Sequence, residues 1–227
     1  MSSFDSSDSD IEMNNGMLIV NDNANQPDYK QRDIIIFDWD DTIMYTSTLE
    51  SILSGSQVKM NSFSINAQEC QSEAYCLLES AIQKGTVFIV TNASLSWIVY
   101  CCKYYMPKLI PLLHKIQIFS CRDCYEMNYP NQENIWKTMA FNDILQMEIK
   151  NTQQVHSVIS IGDSINERNA LLSFCKDKSS IIPKSVKLME KPNIDLLCKE
   201  LQFIHSQLNY LVTCTSKIDF QLRFNSV

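Results

Sequence analysis

The chain has 227 residues, 45% of them apolar and 20% charged, enough to bury a real core and too apolar for global disorder. Its 19 Lys and Arg against 26 Asp and Glu leave a formal net charge of −7, which gives no general attraction to nucleic acid or to anionic lipid. At about 150 residues per domain one sizeable domain with trimmings is expected, and no apolar run approaches the roughly 18 residues that cross a bilayer.

Residues 1–32 are polar and open on MSSFDSSDSDIE, where Asp5, Asp8, Asp10 and Glu12 stand without a basic residue. They read as a disordered acidic tail with a short extended piece at Met17–Val20. Such a start is the reverse of a secretory or mitochondrial leader, so a cytoplasmic protein is expected.

Order is predicted to begin at Ile34-Ile35-Ile36-Phe37, a continuous apolar run suited to a strand buried on both faces of a parallel sheet. Between Ala67 and Lys84 the apolar residues Cys70, Ala74, Leu77, Leu78, Ala81 and Ile82 fall at helical spacing, and Gly85 stops the helix. Thr86–Val90 is a second buried strand. Ser94–Met106 reads as a helix ended by Pro107, with another short helix next to Pro111. Ile116–Phe119 is a brief strand, Glu133–Ile149 an amphipathic helix, Val155–Ile161 a strand and Ser164–Cys175 a helix. Ile181–Ile182 and Val186–Leu188 look like two short strands, followed by a helix over Asn193–Val212. The alternation of Ile218, Phe220, Leu222 and Phe224 predicts an edge strand or a docked tail.

Strands alternating with helices predict an α/β fold, a three-layer sandwich around a mainly parallel, Rossmann-like sheet, as one domain over residues 33–227. The nine cysteines lie mostly in apolar stretches and read as reduced, buried thiols. Cys121-x-x-Cys124 lacks a second pair at zinc spacing, and His114, His156 and His205 stand far apart.

In an open α/β sheet ligands sit at the carboxyl ends of the strands, so the polar residues there are the candidates for chemistry. The first strand ends in Phe37-Asp38-Trp39-Asp40-Asp41-Thr42, the second in Val90-Thr91-Asn92-Ala93-Ser94, and a later one in Ile161-Gly162-Asp163-Ser164-Ile165-Asn166-Glu167. Lys137 lies between the last two, near the start of a helix. Each has a plain structural explanation as well. Asp clusters make solvated turns, Asn92 and Ser94 can cap the next helix, and Ser164-x-x-Glu167 is a capping box. Their conjunction in order is what singles them out.

Asp-x-Asp-x-Thr after the first strand, Thr after the second, an intervening Lys, and Gly-Asp-x-x-x-Glu after a later strand resemble the motifs of the haloacid dehalogenase-like (HAD) hydrolase superfamily, over about residues 33–190. Phe-Asp-Trp-Asp-Asp-Thr with Val-Thr-Asn-Ala and Ile-Gly-Asp-Ser-x-x-Glu-Arg also resembles a subgroup from single-celled eukaryotes. The resemblance implies Asp38 as a nucleophile that takes up a phosphoryl group, and Asp40 as the acid that protonates the leaving oxygen. It implies Mg²⁺ held by Asp38, Asp163 and the Asp40 main-chain carbonyl, with Glu167 supporting the metal through water or through contacts with its ligands. Thr91 and Asn92 would bind phosphoryl oxygens, and Lys137 would offset the charge shared by Asp38 and the phosphoryl group. Lys84, Lys103, Lys108, Lys115 and Lys150 compete for that last role. Lys137 is preferred because Trp-Lys-Thr opens an amphipathic helix.

Members of the superfamily often carry a cap domain after the first or third strand, and neither gap here holds an obvious one. Residues from about 43 to 66 include the Ser-rich Ser47–Ile65 and read as a flexible flap. The resemblance then implies a minimally capped, Mg²⁺-dependent phosphatase open to a phosphorylated protein or another bulky ester. A small substrate would fit if an oligomeric neighbour covered the site. The alternative is a catalytically silent binding or scaffold protein of the same fold. Asp40 disfavours dehalogenase chemistry, and the lack of a cap disfavours a mutase.

Overall fold

The structure, a computed structural model, describes residues 13–14, 17–18, 32–55, 60–152 and 155–223. In chain order the strands are β1 (Met13–Asn14), β2 (Met17–Leu18), β3 (Arg32–Phe37), β4 (Thr86–Thr91), β5 (Gln117–Ser120), β6 (Val155–Gly162), β7 (Ile182–Lys187) and β8 (Ile218–Gln221). The helices are α1 (Thr46–Leu53), α2 (Met60–Ile82), α3 (Leu95–Tyr104), α4 (Ile110–Leu113), α5 (Cys121–Tyr125), α6 (Glu133–Thr152), α7 (Ile165–Cys175) and α8 (Ile194–Thr213). They form one sheet of order β1-β2-β5-β4-β3-β6-β7-β8. The six strands from β5 to β8 run parallel, while β1 and β2 make a short antiparallel addition beside β5.

Helices cover both faces of the sheet, which is why β3 is apolar at successive positions. Ile35 and Phe37 point into the layer built by α1, α2, α3 and α8, and Ile34 and Ile36 into the layer of α5, α6 and α7. Each such side chain contributes about 1.5–3 kcal/mol by leaving water, so β3 anchors both cores. The predicted three-layer α/β sandwich is therefore the fold. From β3 the chain steps to β4 and β5 on one side, then returns to β6 on the other. The carboxyl end of β3 is thus the switch point, where the crossover helices part and leave a crevice.

Four local expectations differ from the structure. The stretch expected as a flexible flap over about 43–66 holds helix α1 and the start of α2. Ser51, Ser54 and Ser64 are exposed while Leu49 packs into the core, and Asp41 accepts a hydrogen bond from the Ser47 N–H at 2.8 Å, which pins the first turn. Helix α2 starts at Met60 rather than near Ala67, because Phe63 packs on the core and meets Tyr45 edge-on at 5.9 Å. The two short strands expected around residues 181–188 are one strand, β7. Pro183 and Lys184 break its apolar pattern, yet Lys184 is buried with its ammonium on the Val212 carbonyl at 3.0 Å. Pairing with β8 starts only at Lys184, so at Pro183 the strand has one neighbour. Helix α5 was not expected; the Ser120 hydroxyl caps it by accepting from the Asp123 N–H at 3.0 Å.

Of the extended piece expected at Met17–Val20, Met17–Leu18 form β2; Met13–Asn14 form β1, Arg32 opens β3, and the other residues of the acidic tail lie outside the described residues. Strand β8 is the expected edge strand; Phe224 also lies outside the described residues. Among the described residues, the chain between β3 and β4 holds only helices, as does that between β5 and β6, so no α/β cap stands there. No helix among them is long and apolar enough to cross a membrane.

Candidate active site

After Phe37 the chain leaves the sheet in a tight loop. The Trp39 carbonyl accepts from the N–H groups of Thr42, Ile43 and Met44 at 3.3, 2.9 and 2.9 Å. Asp41 sits at φ 54°, a left-handed position that Asp tolerates better than most residues. This loop gives its three aspartates different surroundings. Asp38 is buried, and its N–H donates to the Ile161 carbonyl of β6 at 3.0 Å. Asp40 is half-buried; its Oδ1 accepts from Thr46 Oγ1 at 2.6 Å and from Trp97 Nε1 at 3.0 Å. Asp41 faces α1, where it accepts from Ser47 Oγ at 2.5 Å as well as from the Ser47 N–H.

Lys137 lies in α6, which leads into β6 and so begins near the carboxyl edge of the sheet. Its side chain is buried and its Nζ donates to Asp38 Oδ1 at 2.5 Å and to the Val90 carbonyl at 2.6 Å. Glu167 Oε1 lies 3.0 Å from the same ammonium. Glu167 Oε2 accepts the Ser164 N–H at 3.1 Å, closing the expected capping box at the head of α7. Gly162 makes this possible: a Cβ there would stand 2.7 Å from Glu167 Cγ, so only glycine lets the glutamate fold back over the strand end. Asp163 follows at once, and its carbonyl accepts from Lys187 Nζ at 3.0 Å.

Asp38, Asp163 and Glu167 each offer a carboxylate oxygen, all within 4.8 Å of one another. Burial raises the Asp38 carboxyl to about 7, with Lys137 opposing the rise and Glu167 adding to it. Burial and the charges of Asp38, Glu167 and Asp41 raise Asp163 to about 8. Burial by itself would lower the Lys137 ammonium, but Asp38 and Glu167 outweigh it and hold it above its ordinary value. Three carboxylates share one ammonium, so full ionisation leaves an excess of two negative charges. A divalent cation with a preference for oxygen ligands fits that excess and that donor set, and Mg²⁺ is such a cation.

The structure thus brings Asp38, Lys137, Asp163 and Glu167 together, with Asp40 and Thr91 beside them. Glu167 offers a carboxylate oxygen to the same group as Asp38 and Asp163. Thr91 is buried; its Oγ1 accepts from the Ala93 N–H at 3.0 Å and lies 3.5 Å from Asp40 Oδ2. Asn92 Nδ2 donates to the Glu133 carbonyl at 3.3 Å, tying the β4 loop to the head of α6. Of the competing lysines, Lys84 bonds Asn209, Lys108 bonds Ser72, and Lys103 lies over Tyr104.

Three neighbours were not foreseen. Thr46 and Trp97 hold Asp40, and Lys187 holds the Asp163 carbonyl. The visible trace of Trp97 is Ser94-x-x-Trp97, the capped first turn of α3, where Ser94 Oγ accepts the Trp97 N–H at 3.2 Å. Burial pushes the Cys121 and Cys124 thiols up to about 12 and about 11, so they remain protonated and join no metal-ligating group among the described residues. Comparison with known proteins finds no family model, no curated protein and no solved structure that matches the chain, which leaves its geometry as the ground for assigning a function.

Proposed function

We propose that the chain is a HAD-like phosphatase that hydrolyses a phosphate monoester through Asp38 with the help of Mg²⁺. The observation that carries this reading is the buried Lys137–Asp38 pair flanked by Asp163 and Glu167 at the switch point of the sheet. Asp38, Asp163 and Glu167 would hold the ion, which when bound draws phosphoryl charge and leaves the Asp38 carboxylate ionised and ready to attack.

In the first step an Asp38 oxygen forms a bond to phosphorus as the bond from phosphorus to the leaving oxygen breaks, and Asp40 gives that oxygen its proton. In the second, a water attacks the aspartyl-phosphate and returns a proton to Asp40, which releases inorganic phosphate and restores Asp38. Lys137 remains an ammonium throughout. It would sit where negative charge is shared between Asp38 and the phosphoryl group, and Thr91 Oγ1, 3.5 Å from Asp40 Oδ2, would donate to a phosphoryl oxygen. The absence of a cap among the described residues supports a bulky ester, such as a phosphoprotein, as substrate.

Hydrolysis of 4-nitrophenyl phosphate with and without Mg²⁺ tests the reading. Turnover should require the ion and fall by on the order of 10³-fold or more in Asp38→Asn. Activity that survives this substitution sinks the nucleophile. Capture of a partner without turnover of any phosphate ester would instead favour a binding protein.

A further inference from the structure

Asp40, the proposed leaving-group acid, accepts from Trp97 Nε1 at 3.0 Å, and Trp97 is the inner end of an aromatic row. Tyr100 stacks on it with centroids 5.9 Å apart and planes 17° from parallel, and Tyr104 lies 4.7 Å beyond Tyr100. Positions 97, 100 and 104 share one face of α3, since residues three and four apart are neighbours on a helix. The opposite face, with Leu95, Ile98, Cys101 and Cys102, is the one buried in the core.

Tyr100 and Tyr104 are 46% and 57% exposed, so the core does not account for them. At a 5.9 Å separation the Trp97 and Tyr100 rings are offset, which leaves part of each face open. The row runs without a break from the proton donor to solvent.

We propose that the Trp97–Tyr100–Tyr104 row is the platform for the leaving group, and that the substrate is a phosphate monoester whose bridging oxygen is carried directly by an aromatic ring. This rests on the phosphatase reading of the same site. Asp40 must reach the bridging oxygen, and Trp97 is one hydrogen bond from Asp40. The first atoms past that oxygen therefore come against the row, and a ring there can stack as the phosphorus meets Asp38. On cleavage the ring oxygen takes the Asp40 proton and leaves as a phenol, while Asp38 keeps the phosphoryl group.

The test uses the full chain with Mg²⁺ and the double variant Tyr100→Ser/Tyr104→Ser, whose two sites are solvent-exposed. The ratio of kcat/KM for phenyl phosphate over ethyl phosphate should fall about tenfold in the variant. Binding is read separately from Trp emission with 4-nitrobenzylphosphonate, which cannot be hydrolysed. Trp39 and Trp136 are fully buried, so saturable quenching reports Trp97. The dissociation constant should rise about tenfold in the variant, and 4-nitrobenzyl alcohol should give no saturable response.

An unchanged ratio, equal affinity in both proteins, or no saturable quenching overturns the platform. So does faster turnover of adenosine 5′-monophosphate than of phenyl phosphate, or a self-association that the double variant abolishes. If no ester is turned over while the phosphonate still binds through the row, the phosphatase reading fails and the leaving-group role with it, and only the binding of aryl phosphates by the row stands.

Discussion

Lys137, at 2% exposure beyond the carboxyl ends of β3 and β6, and Lys184, at 0% within β7, are the two most deeply buried lysines among the described residues. The first is held by Asp38, Glu167 and the Val90 carbonyl. The second meets the Val212 carbonyl near the end of α8, where a cation favours the last carbonyls of the helix. Burial lowers Lys184 below its ordinary value, with Asp33 only partly opposing the change, whereas the carboxylates around Lys137 raise it. Depth therefore does not set the protonation of a buried lysine; the charge of the groups around it does. Lys137 is one member of an anionic cluster at a crevice, and Lys184 is a tie between a strand and a helix.

The sharpest way to break this contrast is to replace each lysine by Met, which keeps the length of the side chain. Lys137→Met leaves Asp38 and Glu167 without their ammonium and should cost about 3–5 kcal/mol of stability, together with all measurable turnover. The loss should be larger at pH 8 than at pH 5, since protonated carboxyls repel less. Urea unfolding at the two pH values checks it. Equal loss at both would mean that the cluster is not the cause.

A smaller effect comes from the ion. Without a divalent cation, Asp38 and Asp163 titrate near 7 and 8 in the folded chain, against an ordinary 3.8. Between those limits the native state binds more protons than the unfolded one. Their contribution is thus complete below about pH 4 and is lost as pH rises through 7 and 8. Metal-free protein should melt at lower temperature at pH 8.5 than at pH 5.5. Mg²⁺ at a hundredfold excess over its Kd should restore about 2.7 kcal/mol, or about 5–10 °C of melting temperature. A melting point indifferent to Mg²⁺ at pH 8.5 would break the metal assignment.

Lys184→Met is expected to show the least: at pH 7, a protein as stable as the wild type or more stable by about 1 kcal/mol. The folded pKa of Lys184 lies below 10.5, so in the window between the two values the unfolded chain holds more protons. Wild-type stability should climb as pH rises through that window, and the Met variant should lack this gain. A variant that loses turnover would mean that Lys184 reaches the site after all.

Most of the layer architecture could be read from the sequence, because apolar runs such as Ile34–Phe37 and Thr86–Val90 carry the signature of strands buried on both faces. The aspartates were legible for a related reason: a carboxylate straight after such a run has little else to do in the core. Lys137 was harder, since six lysines competed and only the direction of α6 brings one of them to the right edge. Strand β7 was misread because Lys184 looks polar to any pattern, and its burial depends on a carbonyl 28 residues away. Helix α1 was hidden by serines that are compatible with either a loop or a capped helix. The link from Trp97 to Asp40 spans 57 residues and has no local pattern at all.

The short pairing of Met17 and Leu18 with Phe119 and Ile118 carries a consequence of its own. An outermost parallel strand offers a row of unpaired peptide groups that any other extended chain can join. By lying antiparallel along β5, the N-terminal segment occupies part of that row with the chain's own backbone. A chain shortened past Leu18 would keep its helices and its anionic crevice, but β5 would become an open template for sticking to its neighbours.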